Sequence, residues 1–463
     1  MSSRIQLISP VDGRVYAERD YASDDQVGTA LVLAQEAQRT WRSAPHGERA
    51  RYCAAAIEAM QSMGAEIVPE LAWQMGRPIR YGAGELRGFA ERGRYMIALA
   101  REALATIEPV PIEGSKRYIR REPLGTVLVI APWNYPFLTA VNAVIPALMA
   151  GNAVILKHAA QTLLVGERFA QAFEKAGLPT GLFQNLLIDH DQIARVIRSG
   201  QVQHINFTGS VAGGRAVAQH AADRFLGVGL ELGGKDPAYV RADADLEHAA
   251  LNLVDGAFFN SGQSCCGIER IYVHENVYPR FIERVEELTH EYVLGNPLDE
   301  ATTLGPMVNA RAAEFVRSEI AQAVSMGART LIDSTRFPAD RLGSAYLAPQ
   351  VVVNVHHRMS LMRDENFGPV VGIMPVRDDA QAIGLMNDSA YGLTASIWTR
   401  NLVAAEAIGD QLHTGTVFMN RCDYLDPALA WTGVKDSGHG ASLSRVGYEH
   451  LTRPKSFHLR HQI

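Results

Sequence analysis

Two spacings of hydrophobic residues divide the chain into differently built stretches. From about residue 25 to residue 106, alanines, leucines and charged residues recur at three- and four-residue intervals, which predicts helices. Beyond residue 125, short β-branched runs alternate with helical segments, in the order strand 126–130, helix 139–149, strand 153–156, helix 166–175, strands 183–187 and 204–207, and a helix from about Ala212. Such alternation predicts a parallel, doubly wound α/β sheet.

The second half of the chain repeats this alternation. Helices and strands are predicted there in similar proportion, with helices at 246–258, 278–292, 309–326 and 379–385 and strands at 271–274, 351–355 and 372–376. A second α/β unit is therefore expected.

Two further stretches do not fit either unit. Residues 109–124 combine prolines, a glycine and clustered Lys and Arg, which predicts a hairpin or arm rather than core. The tail 455–460 alternates polar and apolar residues and predicts an edge strand that needs a partner.

Composition is that of an ordinary soluble globular protein. The chain has 463 residues, of which 47% are hydrophobic and 20% charged, and its length suggests about two to four domains. The net charge of −6 includes no block of like charge, which argues against nucleic acid or a membrane surface as the main partner. The N-terminal residues lack the apolar core of a signal peptide, and the longest apolar runs are too short or interrupted to span a bilayer, so the expected location is the cytoplasm.

Cysteine is rare in this sequence. The four cysteines are Cys53, Cys265, Cys266 and Cys422. They form no disulfide framework, which suggests a reducing compartment, and no Cys/His spacing is typical of a zinc site. No metal is expected.

One of these cysteines is a candidate nucleophile. Free cysteine is usually a buried packing residue. Cys265, however, follows Gly262-Gln263, and a glycine there lets the backbone approach a substrate closely. A cysteine is also partly thiolate near neutral pH. Its neighbour Cys266 is interpreted as a packing residue, with a redox role as the alternative.

A candidate base lies upstream. Glu231 is flanked by Leu230 and Leu232 and is followed by Gly233-Gly234. A carboxylate in such an apolar segment is costly to bury without a function or a partner. A thiol that attacks and a carboxylate that manages water suffice for covalent oxidation of an aldehyde.

These segments closely resemble the signature motifs of the aldehyde dehydrogenase superfamily, and so does the spacing between Glu231 and Cys265. The resemblance covers about residues 8–458. It implies an aldehyde dehydrogenase-like α/β fold, with two doubly wound α/β domains plus a small β oligomerisation arm. The implied boundaries are a dinucleotide-binding domain at 1–107 and 125–230, a catalytic domain at 231–435 and an arm at 108–124 and 436–463.

The resemblance also implies catalytic roles. Cys265 is the nucleophile and Glu231 is the general base that activates water, a residue that CoA-acylating relatives usually lack. Asn134, in Ala131-Pro132-Trp133-Asn134-Tyr135, matches the asparagine that donates to the developing oxyanion, together with the backbone N–H of Cys265. Loss of one such donor typically costs about 10²–10³ in rate.

The cofactor is expected to be NAD or NADP. No Gly-x-Gly-x-x-Gly occurs between a strand and a helix, but the family's Phe-Thr-Gly-Ser turn is matched in full at 207–210. A helix N-terminus after such a turn favours a phosphate. The residues implied to bind the cofactor are Trp133, Lys157, Gly209, Ser210, Gly214, Leu232, Glu365 and Phe367.

The ribose end leaves the choice of cofactor open. Lys157 matches the family lysine that bonds the adenosine ribose. Three residues on, many NAD-preferring members carry a glutamate, whereas this chain has Ala160, so NADP is not excluded. His158, next to Lys157, is interpreted as an additional hydrogen-bond donor at the ribose end of the cofactor. Residues 188–191 replace a glycine-containing turn that is common in the family.

The substrate pocket is expected to have partly aromatic walls. By resemblance it includes Tyr135, Thr139, Asn142, Tyr424, Leu425 and Trp431. Aromatic walls suit a medium-sized apolar or aromatic aldehyde. Asn142 stands where some succinic semialdehyde enzymes have arginine and several relatives have tryptophan. Arg87 and Arg421 could reach an acidic substrate, and Asp423 or Asp426 a basic one. The alternative for each of the four is an ordinary surface or loop charge.

The predicted function is NAD(P)-dependent oxidation of a small-molecule aldehyde to a carboxylic acid, through a cysteine thiohemiacetal and a thioester, by a homodimer or homotetramer. Succinic semialdehyde, or a related semialdehyde, is the alternative substrate, favoured by Lys157-His158-Ala159 and disfavoured by the asparagine at position 142. A catalytically inactive binding or structural member of the fold is the remaining alternative.

Overall fold

The computed structural model describes residues 4–462. The first three residues and Ile463, which belong to the predicted first domain and to the predicted arm, lie outside the described residues. The helices are α1 (Asp24–Trp41), α2 (His46–Ser62), α3 (Gly64–Met75), α4 (Ile79–Ala103), α5 (Pro136–Met149), α6 (Leu163–Lys175), α7 (His190–Arg198), α8 (Val211–Ala221), α9 (Leu246–Phe258), α10 (Tyr278–Thr289), α11 (Ala310–Ser325), α12 (Asp379–Asn387), α13 (Leu402–Gly409) and α14 (Ser444–His450). In the described part of the chain, no helix is long and apolar enough to cross a membrane.

The strands are short and lie mostly in two sheets. They are β1 (Arg4–Ile8), β2 (Val15–Asp20), β3 (Ser115–Pro123), β4 (Thr126–Ala131), β5 (Ala153–His158), β6 (Phe183–Asn185), β7 (His204–Thr208), β8 (Gly227–Glu231), β9 (Asp236–Val240), β10 (Ile268–His274), β11 (Arg329–Thr330), β12 (Gln350–Val353), β13 (Val370–Val376), β14 (Tyr391–Gly392), β15 (Thr394–Trp398), β16 (Thr416–Met419), β17 (Val434–Lys435), β18 (Gly438–His439) and β19 (Thr452–Arg460).

The first sheet is parallel apart from one edge. Within residues 4–462 its order is β18-β8-β7-β4-β5-β6, with only β18 antiparallel. Every residue of β4 is buried, as expected of a central parallel strand. From β4 the chain runs outward through β5 and β6 and then returns to the other side with β7 and β8. The strand order therefore reverses between β4 and β7, and ligands bind at such a point beyond the carboxyl ends of the strands.

The second sheet is also largely parallel. Over the described residues its order is β11-β12-β13-β10-β9-β15-β16, and only β11 is antiparallel. The segments that precede β9, β10 and β13 carry the Gly233-Gly234, Cys265 and Glu365 motifs. The amino ends of this sheet thus meet the carboxyl edge of the first sheet, and the candidate site lies between them.

The predicted arm is a two-stranded ribbon of β3 and β19, paired antiparallel from Ser115–Arg460 to Pro123–Thr452. The tail strand therefore does find a partner. Not all of the predicted range 436–463 joins this arm. β18 belongs to the first sheet, and α14 packs on α4, where the buried Tyr448 donates to the carbonyl of Met96. The division into domains otherwise stays a prediction.

The alternation in the sequence predicted the α/β class, four strands of the first sheet (β4, β5, β6 and β7) and three of the second (β10, β12 and β13). The strand predicted at 183–187 ends at Asn185, and the helix predicted at 278–292 ends at Thr289. Strands β8 and β9 were not predicted, because glycines interrupt Gly227–Glu231 and Asp-Pro opens Asp236–Val240. Helix α7 was also missed, although Asp189 and Gln192 form a capping box at its start.

Candidate active site

The cysteine loop is a strained turn between α9 and β10. Asn260, Ser261 and Gly262 all have left-handed φ values, of 54°, 56° and 69°. At Gly262 a Cβ atom would collide with the carbonyl oxygen of Gly368, so glycine is required there. This turn leaves Cys265 half-buried, in the walls of two adjoining cavities.

The two neighbouring cysteines have different surroundings. Cys266 is buried, and its thiol donates to Oδ1 of Asp423 at 3.0 Å. A hydrogen bond with Cys265, and then burial, raises the pKa of Cys266 well above its usual value. Cys266 is thus held as a thiol, while Cys265 faces open space.

Glu231 ends β8 and borders the same two cavities as Cys265. Its Oε1 accepts from Ser442 Oγ at 2.5 Å and its Oε2 from Thr208 Oγ1 at 3.1 Å. Burial raises the pKa of Glu231, and these two hydroxyl donors oppose that shift. The sequence analysis missed Ser442, which no local motif marks, and gave no role to Thr208.

Asn134 follows β4 and is tied to the cysteine loop. One amide N–H donates to the carbonyl of Gln263 at 3.1 Å, two residues before Cys265. The backbone carbonyl of Asn134 accepts from Arg77 Nη2 at 2.7 Å and from Asn260 Nδ2 at 3.2 Å. These bonds fix the predicted oxyanion donor relative to the predicted nucleophile.

A buried ion pair supports this corner of the site. Arg77 and Glu85 pair directly, and both side chains are almost fully buried. Oε1 of Glu85 accepts from the backbone N–H groups of Phe137 at 3.0 Å and Leu138 at 3.1 Å, at the start of α5. A carboxylate stabilises a helix N-terminus. The pair therefore positions the segment that carries Asn134, and sequence reasoning did not find it.

The larger of the two cavities is a cleft of about 600 Å³ at the carboxyl edge of the first sheet. One face of α8 lines it, and Ser210 caps that helix by accepting from the N–H of Gly213 at 3.2 Å. Lys157, at the end of β5, also borders the cleft, and burial lowers its pKa. A helix N-terminus and a lysine at a strand end fit the phosphates and ribose of a dinucleotide.

Most of the predicted cofactor residues meet in this cleft. Those in its wall are Trp133, Lys157, Gly209, Ser210, Leu232, Glu365 and Phe367. Gly214 is not in the wall. It faces Leu232, and a Cβ there would lie 2.6 Å from the Leu232 side chain, so its role is to let α8 approach β8 closely.

The loop of Glu365 and Phe367 is fixed from beneath. The buried Glu269 accepts from the N–H groups of Asn366 at 2.9 Å and Phe367 at 3.0 Å, and Lys235 pairs with it at 2.5 Å. Burial raises the pKa of Glu365 to about 8. Phe367 meets Trp133 edge to face, with ring centroids 5.7 Å apart.

The adenine end of the cleft differs from expectation. His158 does not face the cleft. It is buried, its Nε2 contacts the carbonyl of Pro136 at 3.2 Å and its Nδ1 contacts Thr162 Oγ1 at 3.1 Å. Burial lowers its pKa to about 4. The predicted extra donor is therefore a core residue, whereas His190 and His220, which the sequence analysis did not assign, do border the cleft.

The smaller cavity, of about 280 Å³, is the candidate substrate pocket. All six predicted pocket residues lie in its wall: Tyr135, Thr139, Asn142, Tyr424, Leu425 and Trp431. Of the charged candidates, only Asp423 borders the pocket. Arg421 stacks on the Tyr424 ring at 3.4 Å instead, and Arg92, which the sequence analysis did not name, supplies the guanidinium in the wall.

Comparisons with known proteins place this site in a family. The sequence profile of the Aldehyde dehydrogenase family matches residues 1–457, and the chain belongs to that family. The predictions of an aldehyde dehydrogenase fold and of an NAD- or NADP-dependent oxidoreductase that oxidises aldehydes are confirmed.

Named relatives cover nearly the whole chain. An aldehyde dehydrogenase of Paenarthrobacter nicotinovorans is 33% identical over 98% of this chain and 99% of its own. The succinate semialdehyde dehydrogenase [NAD(P)+] Sad of Escherichia coli (strain K12) is 32% identical over 95% and 94%. The structure of an NAD-dependent aldehyde dehydrogenase from Sinorhizobium meliloti has a TM-score of 0.94 at 31% identity, over 99% of this chain and 92% of that one.

Proposed function

We propose that Cys265, Glu231 and Asn134 carry out the oxidation of an aldehyde to a carboxylic acid. The proposal depends above all on one observation, that Cys265 and Glu231 border both the cofactor cleft and the substrate pocket. A thiol and a carboxylate at that junction can act on the same carbon from one bound position.

In the first step the Cys265 thiolate adds to the aldehyde carbon and forms a thiohemiacetal. The carbonyl oxygen becomes an oxyanion, which the Asn134 amide and the Cys265 N–H stabilise. Loss of a hydride from the same carbon then leaves a thioester on Cys265. When NAD(P) is bound in the cleft, its nicotinamide supplies the hydride acceptor.

Hydrolysis completes the cycle. Glu231 removes a proton from water, and the resulting hydroxide attacks the thioester carbon. The carboxylic acid leaves, and the thiolate of Cys265 is restored. A raised pKa suits a carboxylate to this task, because a base works best when its pKa lies near the working pH.

Two substrate classes come from the sequence. The aromatic walls of Tyr135, Tyr424 and Trp431 support a medium-sized apolar or aromatic aldehyde, and the pocket volume of about 280 Å³ bounds its size. Arg92 in the same wall is a specific observation in favour of the second class, the semialdehydes such as succinic semialdehyde.

Formation of NADH or NADPH, followed by absorbance over a panel of aliphatic, aromatic, amino and acidic aldehydes, tests the proposal. Activity lost in Cys265→Ala but retained in Cys266→Ala supports Cys265 as the nucleophile. Activity that survives in Cys265→Ala contradicts it. Thermal stabilisation by dinucleotide provides a separate readout of the cofactor cleft.

The assembly and location are part of the proposal. Among the described residues β19 pairs with β3 alone, so its outer edge is open, which supports pairing across subunits in a homodimer or homotetramer. Light scattering of the wild type and of a chain lacking residues 452–463 tests this role of the arm. The proposed location is the cytoplasm, which cell fractionation tests.

A further inference from the structure

Two side chains in the substrate pocket have polar atoms without partners. Asn142 is only 3% exposed, and neither its Oδ1 nor its Nδ2 has a hydrogen-bond partner among residues 4–462. The Tyr135 hydroxyl is also buried and has no partner within the same described residues. Buried polar groups are nearly always paired, since leaving them unpaired is costly, so both groups indicate a missing ligand.

These two residues share one face of α5. Tyr135 precedes the helix, and Thr139 and Asn142 follow it at helical spacing, so all three border the pocket. α4 packs alongside α5 and contributes Arg92 to the same wall. Arg92 Nη1 donates to the carbonyl of Leu138 at 3.0 Å, next to Thr139.

Arg92 is not neutralised by an ion pair. Among residues 4–462 no carboxylate pairs with its guanidinium, in contrast to the buried Arg77, which pairs with Glu85. Glu91 and Asp255 also border the pocket, but both side chains are exposed to water. Arg92 therefore presents charged N–H donors that are free to bind a ligand.

The other two acids in the pocket wall, Asp423 and Glu231, already accept hydrogen bonds from protein groups. Oδ1 of Asp423 accepts from Ser264 at 3.1 Å and from Cys266 at 3.0 Å. Both oxygens of Glu231 accept from hydroxyl groups, those of Ser442 and Thr208. Three donors therefore remain for a ligand, the Arg92 guanidinium, the Asn142 amide N–H₂ and the Tyr135 hydroxyl, beside the unpaired acceptor Oδ1 of Asn142. Their complement is a group rich in acceptors.

We propose that Arg92, Asn142 and Tyr135 form a subsite that binds the carboxylate of an acidic aldehyde, whose other end reaches Cys265. This inference rests on the proposed function and deepens it, since it selects the semialdehydes over apolar aldehydes. A carboxylate supplies about four acceptor sites and one negative charge, which match the donors and the charge of Arg92. An amino-aldehyde would place a second cation against Arg92 and is disfavoured.

Four aldehydes of equal length test the subsite: succinic semialdehyde, butanal, 4-hydroxybutanal and 4-aminobutanal. We expect kcat/KM to be highest for succinic semialdehyde and lowest for 4-aminobutanal. In Arg92→Met the ratio of kcat/KM for succinic semialdehyde to that for butanal should fall about ten- to a hundredfold, mostly through KM. Asn142→Leu, a variant of similar volume, should lower the same ratio by a smaller factor.

Arg87→Met is the matched control. Arg87 lies on the same helix but is exposed and does not border the pocket, so the ratio should stay at the wild-type value. Binding provides a readout without turnover. Succinate should raise the thermal midpoint of the wild type and of Arg87→Met, but not that of Arg92→Met.

The outcomes separate the two proposals. Two results would show that the subsite is wrong while the proposed function stands. One is that the wild type has equal kcat/KM for butanal and succinic semialdehyde. The other is that Arg92→Met changes neither the ratio of these kcat/KM values nor the rise in thermal midpoint with succinate. If kcat/KM is highest for 4-hydroxybutanal, the subsite binds a neutral hydroxyl group rather than a carboxylate, and the proposal is overturned. If no aldehyde is oxidised with either cofactor, the proposed function fails and the subsite with it.

Discussion

Ser442 and Glu231 are 211 residues apart in sequence, yet the Ser442 hydroxyl donates to the Glu231 carboxylate at 2.5 Å. Ser442 lies just after β18, the strand that pairs with β8 and thereby brings the C-terminal segment to the site. The candidate base is therefore oriented by a part of the chain that no motif links to it.

We expect Ser442→Ala to shift the pH dependence of turnover. The hydroxyl stabilises the ionised carboxylate, so its removal raises the pKa of Glu231 further. The base is active when deprotonated, so the acid limb of the kcat profile should move to higher pH. Ser456→Ala, on the exposed arm strand, is the control. An acid limb that does not move in Ser442→Ala counts against Glu231 as the base.

The Arg77–Glu85 pair should be important for stability. Arg77→Met leaves the Glu85 carboxylate buried without its cation, which typically costs about 3–5 kcal/mol in the free energy of unfolding. Arg284→Met breaks the pair with Glu247, which is much more exposed, and should cost far less. Denaturant unfolding of both variants measures the difference. Equal losses contradict a structural role for the buried pair.

Gly262→Ala should disable the cysteine loop. The residue has a left-handed φ of 69°, and its Cβ would collide with the Gly368 carbonyl. Gly13→Ala has a comparable φ of 75° but nothing within 4 Å of the added Cβ. Both variants incur about 1–2 kcal/mol of left-handed strain, and only Gly262→Ala adds the collision. We expect kcat/KM to collapse in Gly262→Ala and to stay near wild type in Gly13→Ala.

Alkylation should distinguish the four cysteines. Burial raises the pKa of Cys53 to about 12, and Cys266 and Cys422 also have pKa values well above the usual one. The thiolate is the reactive form, so iodoacetamide near pH 7 should give a single rapid adduct on Cys265. Peptide mass spectrometry locates it, and Cys265→Ala should lack it. Rapid labelling of Cys266 is the result that contradicts the picture of a buried, protonated thiol.

Much of the fold and site could be predicted from the sequence. The alternation of strands and helices determined the α/β class, because periodicity reports which residues are buried in each element. Cys265 and Glu231 were predicted from motifs, because the proposed chemistry requires those residue types at fixed local spacing. The six pocket residues were predicted from the family resemblance. Elements broken by glycine or proline, such as β8 and β9, escaped the same reasoning, since pairing within a sheet outweighs their local preferences.

Only the tertiary structure decided the partners of these residues. A sequence pattern specifies the face on which a side chain lies, but not which distant segment meets that face. Three relationships depend on how separate elements pack. They are the hydrogen bond from Ser442 to Glu231, the hydrogen bond from Arg77 to the Asn134 carbonyl, and the presence of Arg92 rather than Arg87 in the pocket wall. The same holds for His158, whose neighbours in the core remove it from the cofactor cleft. The sequence alone determined which residue types are available for the proposed chemistry. Packing decided which charged and polar groups surround them.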